Sequence, residues 1–233
     1  MISNNSNGIS FYCCLCNYLY IRAMKHELEI ILKYFPELSN IQKNKLALAS
    51  ELYTDWNTKI NLISRNDVDN ILEHHFLHSL SIAKVIKFMP KTKIMDVGTG
   101  GGFPGIPLAI MFPKVDFYLI DTIGKKIKVV QDIIEKLDLE NVKAEQKRAE
   151  NVKNQQFDFI VSRAVTRLPE FIAWVNNNIS KRQKNTLKNG ILYIKGGDVL
   201  EEIAYTNKNY QIFELSKIFE EPFFETKKII HLY

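Results

Sequence analysis

Residues 94–107 read Ile-Met-Asp-Val-Gly-Thr-Gly-Gly-Gly-Phe-Pro-Gly-Ile-Pro, and this glycine-rich stretch decides the fold. A short apolar run ends at Asp96, and five of the ten glycines of the chain lie between Gly98 and Gly105. Glycine lets the backbone turn tightly and approach a ligand, because no Cβ is in the way. A helical pattern begins directly after the glycines. This order of strand, glycine turn and helix predicts a cleft of nucleotide size.

The glycine spacing leaves two cofactor classes open. Residues 100–105 match the G-x-G-x-x-G pattern of dinucleotide sites, and Asp121 ends the next apolar run, where an acid would bind a ribose. Two features favour S-adenosylmethionine, a sulfonium without a phosphate. Asp96 suits a cationic ligand better than a diphosphate. Pro104 also removes a backbone N–H that a pyrophosphate would use.

Strand and helix patterns alternate from residue 93 to residue 195, which predicts an α/β fold with a mainly parallel sheet and helices on both faces. Two later apolar runs have no helix between them and are expected to pair as an antiparallel hairpin at the sheet edge. The predicted strands are Lys93–Val97, Asp116–Asp121, Val142–Gln146, Phe157–Ser162, Gly190–Lys195, Tyr210–Leu215 and Thr226–Leu232. The predicted helices between them are Gly105–Met111, Ile123–Leu137 and Leu168–Ile179.

Residues 25–89 show no strand pattern. Their apolar residues recur at spacings of three and four, which predicts amphipathic helices, the first at Lys25–Tyr34. We expect a helical cap at residues 24–90 that packs beside an α/β domain at residues 91–233. Trp56 and Trp174 lie on apolar helical stripes and are expected in the core.

Residues 1–23 differ from the rest of the chain. They contain all three cysteines, Cys13, Cys14 and Cys16, and they lack the basic region that opens a signal peptide. Three clustered cysteines without a fourth ligand do not complete a tetrahedral metal site. We expect residues 1–23 to be a disordered, non-native upstream extension, with Met24 as the native start. The remaining chain then has no disulfide framework, which fits a cytoplasmic protein.

The overall composition is that of a globular protein, with 46% hydrophobic and 24% charged residues. The net charge of +5 permits nucleic-acid binding without demonstrating it. No apolar run reaches the roughly 20 residues that a membrane-spanning helix needs. We expect a monomer that does not bind membranes.

Several longer motifs carry a family resemblance. They are Asp96-Val-Gly-Thr-Gly-Gly-Gly-Phe-Pro-Gly-Ile-Pro-Leu-Ala-Ile, Asp121-Thr-Ile-Gly-Lys-Lys, Arg148-Ala-Glu, Ser162-Arg-Ala, Tyr193-Ile-Lys-Gly, Trp56-Asn-x-x-x-Asn-Leu and Glu73-His-His-x-x-His-Ser-Leu. Together they resemble the RsmG family of ribosomal RNA methyltransferases, also called GidB. The resemblance runs from about residue 26 to the end of the sequence. One departure is His78, where many members of the family have Asp.

The resemblance implies a Rossmann-like class I methyltransferase that uses S-adenosylmethionine. The expected fold is a mainly parallel seven-stranded sheet with an N-terminal helical extension, so that residues 91–233 form the methyltransferase domain. The implied reaction is methylation of N7 of a single guanine in the 530-loop of 16S ribosomal RNA. The implied partner is the small ribosomal subunit.

Two sets of site residues follow. The motif and the resemblance together predict that S-adenosylmethionine is bound by Asp96, Gly98, Gly100, Gly102, Phe103, Asp121, Ala149, Glu150 and Arg163. Basic residues at strand ends or at the following helix starts are candidates for RNA contacts, namely Lys125, Lys126, Lys128, Arg163, Arg167 and Lys195.

The remaining chemistry-bearing residues receive simpler interpretations. Guanine N7 has an in-plane lone pair and no proton, so no general base is expected and catalysis depends on orientation. His74, His75 and His78 match no metal-binding pattern, and we expect a helix-surface or RNA-facing role for them. Phe103 follows Gly102 within the turn and is expected to be a cofactor-loop residue rather than a core residue.

Two alternative functions remain open from the residues alone. The first is an NAD(P)-dependent Rossmann oxidoreductase, which a nicotinamide dinucleotide would stabilise against heat while S-adenosylmethionine would not. The second is a non-catalytic ribosome-assembly protein, which would bind RNA without transferring a methyl group. The intact glycine loop and Asp121 argue against the second.

Overall fold

The computed structural model describes residues 28–63, 67, 69–163 and 165–233. The expected upstream extension at residues 1–23 and the first residues of the predicted helix from Lys25 lie outside this part of the chain. The described residues form one mixed sheet of seven strands with helices packed against it. This is the predicted fold class.

The sheet has the strand order β3-β2-β1-β4-β5-β7-β6. The first five strands pair in parallel, and β7 pairs antiparallel with both β5 and β6. The strands are β1 (Lys93–Val97), β2 (Asp116–Asp121), β3 (Val142–Gln146), β4 (Phe159–Arg163), β5 (Gly190–Gly196), β6 (Tyr210–Glu214) and β7 (Lys227–Leu232). Because β1 is central, the loop that follows it opens into the middle of the sheet edge where ligands bind in such folds.

The helices begin with the N-terminal cap. They are α1 (Glu29–Tyr34), α2 (Asn40–Lys59), α3 (His78–Val85), α4 (Gly105–Met111), α5 (Gly124–Lys136), α6 (Leu168–Val175) and α7 (Leu200–Ala204). A π-helical turn, Leu72–Leu77, leads directly into α3. At the start of α2, Ser39 and Gln42 form a capping box, which satisfies backbone N–H groups that the first turn leaves unpaired. None of the described helices combines the length and apolar content needed to cross a membrane.

Most predicted strands and helices agree with the structure to within one residue at each end, and four features differ more. The predicted strand Phe157–Ser162 begins two residues later, at Phe159. The predicted helix Leu168–Ile179 stops at Val175, because three asparagines follow and form a 3₁₀ turn instead. The short helix α7 was not predicted. The predicted edge hairpin is correct in its pairing, but β7 lies between β5 and β6, so that only β6 forms the edge.

One hydrophobic core joins the cap helices to the sheet. It includes Tyr53 of α2, Leu80 of α3, Ile94 of β1 and Val129 of α5, which are all buried. A second cluster lies on the opposite face of the sheet and includes Met95, the neighbour of Ile94 on β1. Adjacent strand residues point to opposite faces, so β1 contributes to both cores.

The two tryptophans are not fully buried, which corrects the expectation that both are core residues. Trp56 and Trp174 are half-buried and pack at the margins of the two cores. The indole N–H of Trp56 donates to the Asp132 carboxylate at 2.7 Å. An indole with a polar partner at the core margin keeps its N–H satisfied, which full burial in an apolar core would not allow.

Leu80→Ala tests whether the cap shares the core of the sheet. Leu80 is 0% exposed, so we expect the free energy of unfolding to fall by about 2–5 kcal/mol. The matched control is Ile41→Ala, because Ile41 is 70% exposed and its loss should change stability by less than about 0.5 kcal/mol. Urea denaturation measures both. An equal, small effect of the two substitutions would contradict a shared core.

Candidate active site

The loop after β1 has the backbone that its glycines permit. Gly98, Gly100 and Gly102 have φ values of +67°, +58° and +101°, in the left-handed region that disfavours other residues. A Cβ on Gly98 would also lie 2.5 Å from a methyl group of Val165, which follows β4. Glycine is therefore required at Gly98 for both conformation and space.

Asp96, near the end of β1, holds this loop in place through two hydrogen bonds. The side chain is 0% exposed, and its Oδ2 accepts hydrogen bonds from the Thr99 hydroxyl at 2.6 Å and from the Gly105 N–H at 2.8 Å. Its Oδ1 is buried without a hydrogen-bond partner among the described residues. Burial raises the pKa of Asp96 to about 7, and the two hydrogen bonds oppose that rise. A buried carboxylate oxygen of this kind fits the neighbourhood of a cationic ligand.

Asp121 holds the loop from the adjacent strand. Its Oδ2 accepts the Gly100 N–H at 2.8 Å, and its Oδ1 accepts the Ile123 N–H at 2.8 Å. Two backbone hydrogen bonds orient the carboxylate at the carboxyl end of β2. This is the position where the sequence predicts an acid beside a ribose.

The backbone N–H groups of the loop argue against a diphosphate ligand. The N–H groups of Gly98 and Thr99 donate to the Ile120 carbonyl, and those of Gly102 and Phe103 donate to the Thr99 carbonyl. The Gly100 N–H donates to Asp121. A dinucleotide site needs free N–H groups at this turn for the pyrophosphate. Two buried carboxylates, Asp96 and Asp121, lie against the loop instead, which fits the sulfonium and amino groups of S-adenosylmethionine.

Phe103 anchors the loop in the cap, which corrects the expectation that it is not a core residue. It is 4% exposed and packs against the rings of Tyr53 and Phe76, with centroids 4.6 and 5.5 Å away. The Tyr53 hydroxyl is buried without a hydrogen-bond partner among the described residues, and burial raises its pKa. A Cβ on Gly102 would lie 2.7 Å from that hydroxyl, so the loop rests directly on α2.

Arg163, at the end of β4, is held by the π-helical turn of the cap. Its Nη1 donates to the His74 carbonyl at 3.1 Å, and its Nη2 lies 2.9 Å from His75 Nδ1. The guanidinium also lies over the Phe103 ring, 5.4 Å from the centroid. Burial lowers the pKa of Arg163 to about 10, and the charge of Asp96 opposes this. π-Helical turns are frequent at functional sites, and here one orients a predicted cofactor residue.

The three histidines do not lie on a solvated helix surface, so the helix-surface half of the expectation is wrong, and the RNA-facing role stays a prediction. His78 is 6% exposed, and His74 and His75 are half-buried. Burial lowers the pKa of His75 to about 3, and the charge of Arg163 lowers it further. Burial likewise lowers the pKa of His78. No group of three His, Cys, Asp or Glu residues in the described part of the chain is arranged to hold a metal ion.

The other predicted cofactor residues follow β3, on the Asp121 side of the loop. Ala149 and Glu150 form a short 3₁₀ turn in which Ala149 is buried and Glu150 is exposed. The strand order places this turn two strands from β1. The predicted cofactor positions therefore extend along one sheet edge, from β4 across β1 and β2 to β3.

The basic side chains predicted to contact RNA differ in how exposed they are and in whether they already bind another protein group. Lys125 and Lys128 are exposed on the first turns of α5, and Lys126 is half-buried there. Arg167 is exposed directly before α6. Lys195 forms an ion pair with Glu202 of α7 at 2.5 Å, and Arg163 is bound to the cap as described above. Lysines at a helix N-terminus reinforce the positive end of the helix dipole.

Some residues of the site carry no signal in the sequence that predicts their place there. Tyr53 lies on a helical stripe that predicts only core packing, and Glu202 belongs to the helix that was not predicted. The contact between His75 and Arg163 joins residues 88 positions apart, and no local pattern predicts it. The cluster of histidines at positions 74, 75 and 78 is the one available signal in the sequence for this contact.

Comparison with solved structures identifies the class of fold. The chain is similar to a crystal structure of a SAM dependent methyltransferase from Aquifex aeolicus, with a TM-score of 0.53 and 15% identity. The match covers 73% of this chain and 98% of that chain. The fold is therefore that of S-adenosylmethionine-dependent methyltransferases.

A family model described as rRNA small subunit methyltransferase G matches residues 42–229, and the chain belongs to that family. A protein of Flavobacterium johnsoniae named ribosomal RNA small subunit methyltransferase G is 58% identical over 205 residues, which cover 87% of this chain and 96% of that protein. A protein of the same name from Bacteroides thetaiotaomicron is 52% identical over 204 residues, which cover 88% and 98%. The predicted family, enzyme class and cofactor are confirmed, and the oxidoreductase alternative is wrong.

The pH dependence of stability tests the buried state of Asp96. Its pKa is about 7 in the fold and about 4 in an unfolded chain, so the folded state binds more protons between these values. Stability should therefore fall as the pH rises from about 4 to 7.

Asp96→Asn removes this titration while retaining an oxygen that accepts from Thr99 and Gly105. Relative to wild type, we expect the variant to gain roughly 2–4 kcal/mol in free energy of unfolding between pH 4 and pH 8. Urea denaturation at both pH values measures the difference. Parallel pH profiles of the two proteins would show that Asp96 does not titrate in this range.

Proposed function

We propose that this protein transfers the methyl group of S-adenosylmethionine to N7 of a single guanine in the 530-loop of 16S ribosomal RNA. The observation that carries the proposal is the glycine loop fixed by Asp96 and Asp121 within the region that matches the family model. When bound, S-adenosylmethionine supplies a methyl carbon activated by a sulfonium. Guanine N7 has a lone pair and no proton, so the chain has no proton to remove.

In this proposal, each predicted cofactor residue would contact a different part of S-adenosylmethionine. In this proposal Asp121 accepts hydrogen bonds from the ribose hydroxyls, and the 3₁₀ turn at Ala149 and Glu150 borders the adenine. Gly98, Gly100 and Gly102 bring the backbone close to the cofactor, while Asp96 supplies negative charge below it. Phe103 and Arg163 border the end of the site nearest β4. These residues act by orientation, which is the main requirement for a methyl transfer without proton chemistry.

The target base must leave its stack or already be unpaired to reach such a site. We propose that Lys125, Lys126, Lys128 and Arg167 bind phosphates of the RNA around the cleft, with smaller contributions from Lys195 and Arg163, whose donors are already occupied. Phosphate contacts fix the position of the RNA without reading its sequence.

The proposal also includes the domain organisation, the oligomeric state and the cellular compartment of the protein. Residues 24–90 act as a cap on a methyltransferase domain at residues 91–233, and the protein works as a cytoplasmic monomer. The confinement of all three cysteines to positions 13–16 supports a reducing compartment.

The first test is methyl transfer from labelled S-adenosylmethionine to small ribosomal subunits from a strain that lacks this protein. We expect label in a single N7-methylguanosine of the 530-loop, identified by nuclease digestion and mass spectrometry. Fully modified subunits from the parent strain are the control and should accept no label. Binding of S-adenosylmethionine and of subunits without any transfer would instead support a non-catalytic assembly protein.

Asp121→Ala tests the cofactor site. Loss of the carboxylate should weaken S-adenosylmethionine binding by at least about tenfold, because charged hydrogen bonds are worth about 1.5–3 kcal/mol. The matched control is Asp116→Ala, at the opposite end of β2, which should leave the dissociation constant within about twofold. Isothermal titration calorimetry measures both variants, and thermal unfolding verifies that they are folded. Equal affinities of the two variants would remove Asp121 from the site.

A further inference from the structure

A cleft of about 220 Å³ opens at the carboxyl ends of β4 and β5, between the π-helical turn and the start of β7. We call it the β4–β5 cleft. Its walls include the rings of His74, His78 and Phe223, with Ile194 at the base. Pockets for drug-sized ligands measure roughly 300–1,000 Å³, so this cleft fits a single heterocyclic base better than a whole cofactor.

The cleft lies on the side of the glycine loop away from the adenosine positions. Asp121 and Glu150 follow β2 and β3, whereas the cleft adjoins β4, β5 and β7 on the other side of β1. Arg163 lines the cleft and also contacts Phe103 of the loop. A cofactor with its ribose at Asp121 would therefore extend its methionine end toward this cleft, so a base placed here would face the transferable methyl group.

The polar lining of the cleft includes one ammonium group, that of Lys227, without an ion-pair partner among the described residues. Arg163 donates to His75 Nδ1, which fixes the His75 proton on Nε2. That Nε2 is buried and has no partner among the described residues. His75 is therefore a neutral, half-buried ring, whereas the Lys227 ammonium lies at the cleft, 4.8 Å from the Phe223 ring centroid.

The charge of the cleft fits a neutral base better than a phosphate. Asp67 holds His74 Nδ1 at 2.8 Å, and Glu202 holds Lys195 at 2.5 Å, so two carboxylates already offset part of the positive charge. Burial and the charges of Arg163 and Lys227 keep the pKa of His78 low, so it adds no cation. Of the three cations that line the cleft, Arg163 and Lys195 already contact protein groups, which leaves Lys227 beside aromatic rings.

We propose that the β4–β5 cleft receives the target guanine and that Lys227 donates a hydrogen bond to its O6. This inference rests on the proposed function. Guanine has an acceptor at O6, where adenine has an amino donor that would meet the Lys227 ammonium unfavourably. Lys227 therefore selects guanine over adenine, and N7 remains free to accept the methyl group.

The test is a double-mutant cycle between Lys227→Met and the loss of O6. Small subunits are reconstituted with 16S ribosomal RNA that carries either guanosine or 2-aminopurine at the target position, since 2-aminopurine retains N7 but lacks O6. With guanosine we expect Lys227→Met to lower kcat/KM by about tenfold. With 2-aminopurine the variant and wild type should agree within about twofold, because the contact is absent from both.

The matched control is Lys228→Met, because Lys228 is adjacent on β7 and pairs with Glu214. It should leave kcat/KM within about twofold on both RNAs. Lys227→Arg restores a donor and should recover most of the activity on guanosine. The dissociation constant of S-adenosylmethionine and the thermal midpoint should be unchanged in every variant, which separates base recognition from cofactor binding and from misfolding.

Two results would overturn the assignment. Equal loss by Lys227→Met on guanosine and 2-aminopurine would exclude a contact with O6. A salt dependence of kcat/KM that is shallower by about one unit in the variant would identify a phosphate contact instead. If the wild-type enzyme transfers no methyl group to N7 of guanosine at all, the proposed function itself fails, and that outcome is read from the unmodified RNA alone.

Discussion

The candidate site depends on two carboxylates that hold one glycine loop. Asp96 binds the loop at Thr99 and Gly105, and Asp121 binds it at Gly100. Asp121 ends β2 and Asp96 lies one residue before the end of β1, so the rigidity of the sheet passes directly to the loop. Because the loop N–H groups are largely used within the protein, what the loop presents to a ligand is a shaped surface with negative charge. This explains how a dinucleotide-like glycine pattern serves a cationic cofactor.

The sequence predicts the sheet and the loop well, because both arise from local patterns. Alternating apolar runs and glycines set the strand bounds, and Asp116–Asp121 and Gly105–Met111 agree with the structure residue for residue. The contacts that complete the site join distant segments, such as His75 with Arg163 and Lys227 with Phe223. No local period encodes these contacts, so the sequence does not predict the burial of His78. The cofactor and RNA residues themselves remain predictions.

The cap does more than cover a face of the sheet. Its π-helical turn binds the guanidinium of Arg163, and Tyr53 of α2 supports the loop from below at Phe103. A movement of the cap helices would therefore displace both the loop and the end of β4. The shared hydrophobic core opposes such a movement, since separating the two parts would expose apolar surface to water.

The strand order has a consequence for synthesis of the chain. β6 leaves the ribosome before β7, yet it reaches the sheet only through β7, which occupies the place beside β5. Until β7 emerges, the open edge of β5 presents unpaired backbone groups, and the nascent β6 has no partner strand. Unpaired edges of this kind invite wrong pairings during folding. The sheet thus closes by insertion of a late strand between two earlier ones, so β6 stays unpaired until β7 arrives.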